Sequence, residues 1–182
     1  SDMEGSLGLP MHMYFLAANQ DSAIGPAMLQ NYLAPLSIHP QEENYELPVI
    51  AATLPDTAQQ QGFNITVPLT ISDVSGLEVL SVDIKITYID SIIQALRATT
   101  IGTLAEFWGE PTYNIYPDSI ILHLEGGIPL VGWGELVYLE FKVVGNTGTQ
   151  SPLHFEDILF NNGEILSDPH DGSITALVPP EV

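Results

Sequence analysis

The sequence predicts an all-β fold: an antiparallel sandwich of about nine strands behind an irregular N-terminal extension. Three observations carry this. From about residue 47 onwards, apolar residues recur with a period of two, as in strands that bury one face. Clusters of Gly, Asn, Asp and Pro separate those runs: Asp73-Val-Ser-Gly76, Pro117-Asp118, Gly126-Gly127, Gly145-Asn-Thr-Gly148, Asn161-Asn-Gly163 and Asp171-Gly172. Of the 182 residues, 45% are apolar, which excludes wholesale disorder and supplies a core. Half-buried strands of this kind form antiparallel sheets, and two such sheets packed face to face make a sandwich.

In chain order, residues 1–46 hold no sustained period and carry Pro10, Pro26, Pro35 and Pro40. Met11, Met13 and Phe15 alternate briefly, as in a short strand, and Ala27–Leu33 after Pro26 reads as one or two helical turns. We read 1–46 as an extension or linker, with 1–6 partly a cloning remnant, and 47–182 as the sandwich domain. No charged segment leading into a long apolar core follows residues 1–6, so an export signal is expected to be missing from this stretch. The first strand is expected at 48–54. Next, Phe63, Ile65, Val67, Leu69 and Ile71 alternate with polar residues, and Pro68 among them points to an edge or a bulge because it cannot donate to a ladder. Val82, Ile84, Ile86 and Tyr88 alternate with Ser81, Asp83, Lys85 and Thr87. Strands follow at 92–98 and 112–116, with a short helical turn at 101–106 between them. Ile120, Leu122 and Leu124 face one way, with Ile121, His123 and Glu125 opposite. Val137, Leu139, Phe141 and Val143 make the next strand. In 152–160 the phase slips after Leu153 and Phe155, which a bulge near 156–157 absorbs without burying Asp157. A strand at 173–178 closes the domain.

Charge narrows the function. Asp and Glu number 23 against three Lys and Arg (Lys85, Arg97 and Lys142), for a formal charge of −20. Such a surface repels phosphates and anionic lipid, so nucleic acid, nucleotide and acidic membranes are excluded as partners. No apolar run reaches the roughly 18 residues of a membrane-spanning helix. There is no cysteine, hence no disulfide frame, thiol chemistry or cysteine-ligated zinc.

The ordered set of segments from about 47 to 178 resembles a cohesin module, the receptor half of the cohesin–dockerin pair. The resemblance rests on Ile65-Thr-Val-Pro-Leu-Thr-Ile71, then Ser75-Gly-Leu77, then Ser81-Val-Asp-Ile-Lys-Ile-Thr-Tyr88. It continues in Ile115-Tyr-Pro-Asp118, Val137-Tyr-Leu-Glu-Phe-Lys-Val143 and Asp171-Gly-Ser173. One departure is Ile89-Asp90, where cohesins commonly follow the tyrosine with Asp-Pro. The resemblance implies a nine-stranded jelly roll, in which the outer face of the third, fifth, sixth and eighth strands receives a calcium-loaded dockerin. Carried over residue by residue, it gives Ser81 and Asp83 as polar contacts and Tyr116 as a contact tyrosine. Lys85 shares the strand of Ser81 and Asp83. His123 and Glu125 on the sixth strand, and His154 and Glu156 on the eighth, complete the predicted partner-binding set.

Other chemistries were weighed on the same residues. Catalysis needs a concave, desolvated site, and a flat sheet face is none; neither a nucleophile-elbow serine nor a His-Glu-x-x-His string occurs. We therefore expect no enzyme and no required cofactor. His123 and His154 flanking Asp83 could ligate a transition metal, but the spacing of zinc sites is absent, and we take them as solvated residues or partner contacts. Asp168 and Asp171 are weak candidates for a structural calcium in a loop at 167–173, as are Asp56 and Asp73 in their turns, although acids in turns commonly bind their own backbone. Phe107-Trp108 and Trp133 are expected to plug the ends of the sandwich; if exposed and coplanar they would instead suit a carbohydrate-binding module, the main alternative. The third reading is a structural module of a surface protein. The expected setting is extracellular or at the cell surface, as part of a scaffold.

Overall fold

The computed structural model describes residues 47–179. The readings made for residues 1–46, including the short strand and the helical turns, lie outside the described residues. Two sheets face each other. One contains β1 (Val49–Thr53), β3 (Asn64–Ile71), β5 (Ile93–Thr99), β8 (Gly134–Val143) and β10 (Leu166–His170), in the order β10-β1-β3-β8-β5. The other contains β2 (Asp56–Gln60), β4 (Ser81–Thr87), β6 (Thr112–Tyr116), β7 (Ser119–Glu125), β9 (Gln150–Phe160) and β11 (Gly172–Leu177), in the order β2-β11-β9-β4-β7-β6. The all-β sandwich is therefore as expected.

The period-two residues fill the space between the sheets. Leu69, Leu139 and Phe141 from one side meet Ile84, Ile86, Leu122 and Phe160 from the other, all fully buried. Each contributes roughly 2 kcal/mol of transfer free energy. Tyr88 packs edge-on against Phe141, with ring centroids 5.5 Å apart. The phase slip in β9 is a bulge: Lys85 pairs with Asp157 and Ile86 with Phe155, so Glu156 is the extra residue and Asp157 stays exposed. Pro68 lies on an inner strand of the sheet rather than an edge strand, at a point that β1 does not reach. A bulge follows it between Leu69 and Thr70, and the pairing of β1 with β3 reaches only Thr70 and Ile71.

Two details differ from the expectation: among the described residues there are eleven strands rather than nine, and the sheets are mixed rather than wholly antiparallel. The additional strands, β2 and β10, are both sheet edges. Their sequences, Asp-Thr-Ala-Gln-Gln and Leu-Ser-Asp-Pro-His, lack the apolar alternation because an edge strand gains from polar residues and tolerates proline. The segment 167–173, read as a loop, is thus mostly strand, and His170 lies on β10. Together β1–β2 and β10–β11 form two arms that run in parallel, Val49 beside Leu166 through Thr53 beside His170, then Asp56 beside Ser173 through Gln60 beside Leu177. Both arms cross from one sheet to the other at the same corner, where Leu54 N–H donates to His170 O and Ser173 N–H to Pro55 O. Gly172 is required there: a Cβ would stand 2.4 Å from Pro55 O and 2.6 Å from Leu54 O. The helical turn expected at 101–106 is a run of tight turns ending in a 3₁₀ turn at Glu106–Trp108.

Candidate functional site

On the six-stranded sheet, β9-β4-β7-β6 are adjacent, with β4 central. In a nine-strand count that omits β2 and β10, these are the eighth, third, sixth and fifth strands. Their inward residues hold the register, with Leu122 and Leu124 only 1% and 2% exposed. A shift by one residue would bury His123 and Glu125 instead. The outward row of β4 reads Ser81, Asp83, Lys85 and Thr87, facing Glu125, His123, Ile121 and Ser119 on β7. On the far side of β7, Thr112, Asn114 and Tyr116 of β6 face His123, Ile121 and Ser119.

The start of β4 is pinned from outside the sheet. Asn161, at φ 49°, accepts the Leu80 and Ser81 N–H groups on its side-chain oxygen at 2.8 and 3.2 Å and donates to Glu78 O at 2.9 Å. Asparagine tolerates that left-handed backbone. Two residues along β4, His123 Nδ1 lies 2.6 Å from Asp83 Oδ1, and its Nε2 is 3.4 Å from Glu125 Oε2. The Asp83 hydrogen bond, helped by Glu125, raises the His123 pKa above its ordinary value. Lys85 reaches across to Glu156 at 2.8 Å, and that pairing raises its pKa. Tyr116 ends β6 with its ring exposed, while its carbonyl accepts the Tyr88 hydroxyl at 2.8 Å. Among the paired groups, Asp83 keeps a second carboxylate oxygen, and Glu125 is mostly exposed.

Ser81, Asp83, His123 and Glu125 thus converge at one end of the face, with Lys85 and Glu156 beside them. Tyr116 stands at the opposite end of the β6–β7 hairpin. His154 does not join them: it lies beside Thr87, four residues along β4 from Asp83, roughly 13 Å at strand spacing. Its Nδ1 is 2.6 Å from Asp171 Oδ2, and Asp171 also accepts the Phe155 N–H at 2.9 Å. Burial pushes the Asp171 carboxyl up, but these two hydrogen bonds outweigh it and hold the pKa below the ordinary value. The two-histidine arrangement around Asp83 does not form. Among the described residues, no group of three or more acidic or imidazole side chains is placed to hold a metal ion. Asp168 pairs with His170, and Asp73 accepts the Ser75 N–H as a turn residue does.

Two apolar members of the face stand outside the predicted partner-binding set. Ile121 and Leu159, each 37% exposed, flank the β4 row from β7 and β9. Ile121 with Asp83, Lys85 and Asp157 lines a depression of about 190 Å³. The signal was present as apolar residues standing out of phase: Ile121 between Ile120 and Leu122, and Leu159 between Ile158 and Phe160. The expectation for the loop aromatics is corrected. Phe107 and Trp133 are 94% and 74% exposed and plug nothing. Ala105 and Leu130, both buried, already close that end, and of the three rings only Trp108 packs against the core.

No protein-family model and no curated protein matches the chain. Solved structures do. The third cohesin of ScaC from Acetivibrio cellulolyticus, solved in complex with the ScaB dockerin, matches with a TM-score of 0.63 and 14% identity over 70% of this chain and 99% of that one. The cohesin CaCohA2 from Clostridium acetobutylicum matches at 0.61 and 21% over 72% and 92%. A non-cellulosomal cohesin from the hyperthermophilic archaeon Archaeoglobus fulgidus matches at 0.60 and 17% over 70% and 91%. At these identities the likeness is one of fold. The described residues are a β-sandwich with the fold of cohesin modules, and the family resemblance read from the strand segments is shown at that level.

Proposed function

We propose that the chain is a non-catalytic protein-binding module that receives a dockerin on the outer face of β9-β4-β7-β6. One observation carries the reading. This face joins oriented polar groups (Ser81, Asp83, His123 and Glu125) to exposed apolar surface at Ile121, Leu159 and Tyr116, the mixture that protein interfaces use. Neighbours in fold that were solved in dockerin complexes support it. Asp83, oriented by His123, accepts hydrogen bonds from the partner and sets register; Tyr116 adds apolar area with a polar tip. An interface of ordinary size buries roughly 1,600 Å², with a few residues dominating. The charge of −20 calls for lysine or arginine on the partner and an on-rate that falls with salt. Calcium belongs to the dockerin in this scheme, and the setting is an extracellular or cell-surface scaffold.

The test is a gel shift and calorimetric titration against a panel of dockerins, in calcium and then in EDTA. The expected result is saturable one-to-one binding that EDTA abolishes. Silence across the panel overturns the reading.

A further inference from the structure

We propose that an apolar cleft at the end of the sandwich is a second anchor for the same partner, and that it takes a large apolar side chain flanked by lysine or arginine. The inference rests on the reading of the β9-β4-β7-β6 face as the partner surface. The cleft holds about 480 Å³ between the 101–109 turns and the 127–133 loop. Leu104, Trp108 and Leu130 form its floor, packed on or within the core. Phe107, Ile128 and Val131 form its rim and are largely exposed. Contiguous apolar surface of this kind marks interaction sites.

The cleft is already assembled. Trp108 Nε1 donates to Ile128 O at 2.7 Å, tying one loop to the other. Its ring lies so close to Gly126 that a Cβ there would stand 1.8 Å from Trp108 Cδ1. Leu104 N–H donates to Glu135 O, Leu130 N–H to Val79 O and Gly126 N–H to Leu80 O, so both loops are anchored to the sandwich. A partner therefore meets little ordering cost on this side.

Two features name the occupant. The lining offers almost no unused polarity. The Trp108 N–H is engaged, and the Thr103 hydroxyl lies 2.7 Å from Thr100 O and 2.9 Å from Leu136 O while accepting the Ala105 N–H. A sugar needs convergent polar groups beside its stacking rings, whereas a hydrocarbon or aromatic side chain needs none. The surroundings are acidic: Glu106 shares the 3₁₀ turn with Phe107, Glu125 borders the adjoining depression, and neither pairs with a lysine or arginine among the described residues. Continuity identifies whose side chain it is. Phe107 and Trp108 line both the cleft and a polar depression that also contains Ser81 and Glu125, the end of the proposed face. A partner covering Ser81 and Glu125 has the cleft within the next few residues of its own chain.

The test uses the full chain with the double substitution Phe107→Ser and Val131→Ser, two exposed positions whose change leaves the core intact, checked by thermal melting. Calorimetry against the dockerin panel is expected to give at least tenfold weaker binding, while Phe107→Leu, which keeps an apolar rim, retains most of the affinity. Wild-type affinity in the double variant, with Asp83→Ala still weakened, overturns the cleft and leaves the face standing. A wild-type chain that binds no dockerin overturns the face, and the cleft inference with it. A concentration-dependent dimer in sedimentation equilibrium that the double variant loses gives the cleft to a second copy. Retention on polysaccharide affinity gels that Trp133→Ala removes gives that end of the sandwich to sugar. Either of the last two results overturns the inference.

Discussion

The two outer faces of the sandwich solve the same problem differently. On the five-stranded sheet, Asn64 and Arg97 both bond Glu140, and the remaining outward positions of β3 are Thr66, Pro68 and Thr70. Arg97 holds the Glu140 pKa below its ordinary value, with Asn64 adding to this, so that carboxylate is satisfied within its own face. Two of the three cations, Arg97 and Lys142, lie there. The six-stranded face has only Lys85, already paired with Glu156, against Asp83, Glu125 and Asp157, and it interleaves them with exposed Ile121 and Leu159. Strands with equally regular alternation inward thus differ outward: one face satisfies the Glu140 carboxylate with its own Asn64 and Arg97, and around Asp83 the other keeps a carboxylate oxygen beside exposed Ile121 that a partner can use.

The largest expected effect destroys the comparison altogether. The crossing arms belong to both sheets, so Gly172→Ala, which forces a Cβ against the Leu54 and Pro55 carbonyls, should cost roughly 3 kcal/mol of stability. Urea denaturation measures this; an unchanged midpoint would mean the corner relaxes freely. Next comes the face itself. On the proposed function, Asp83→Ala should weaken dockerin binding by about 2 kcal/mol or more, since it removes an oriented charge from the proposed interface. The matched change on the other face, Glu140→Gln, should leave affinity unchanged. Calorimetry on the pair checks both, and equal losses would erase the distinction between the faces.

How far these differences were legible in the sequence follows from burial. Wherever one side of a strand meets the core, period two fixed which residues point outward; hence Asp83, His123 and Glu125 were placed correctly, and the extra residue at Glu156 was seen as a bulge. β2 and β10 escaped because edge strands carry no apolar period: Thr57-Ala-Gln-Gln60 looks like a loop until β11 lies beside it. His154 was grouped with His123 because strand order supplies neighbours but not their offset, and the offset sends it to Asp171. The exposed Phe107 and Trp133 were misread because tryptophan and phenylalanine are usually buried. Nothing local told that Ala105 and Leu130 had already filled the end.

The smallest expected effect sharpens the comparison through pH. Of two ion pairs, one on each face, Arg97–Glu140 keeps its charge across the physiological range, whereas Asp83–His123 titrates. The His123 pKa is raised by Asp83 above 6.5, so its contribution to stability is fully present below about pH 6.5 and is lost as pH rises through the raised value. Because the imidazole is more than a third exposed, solvent screening holds the contribution below about 1 kcal/mol. Denaturation of the wild type and of His123→Gln between pH 5.5 and 8.5 should show a difference that is largest at the acid end and closes above the His123 midpoint. A difference independent of pH would mean that the pair does not gain a charge in this range. Asp171 runs the other way: its pKa is lowered, so its contribution is present above the ordinary aspartate value and is lost only as pH falls through the depressed one. Binding reverses the sign for His123. The imidazolium neutralises Asp83 on the very face that is to attract lysine or arginine, so affinity for a cationic partner should rise over the same interval in which this increment of stability is lost.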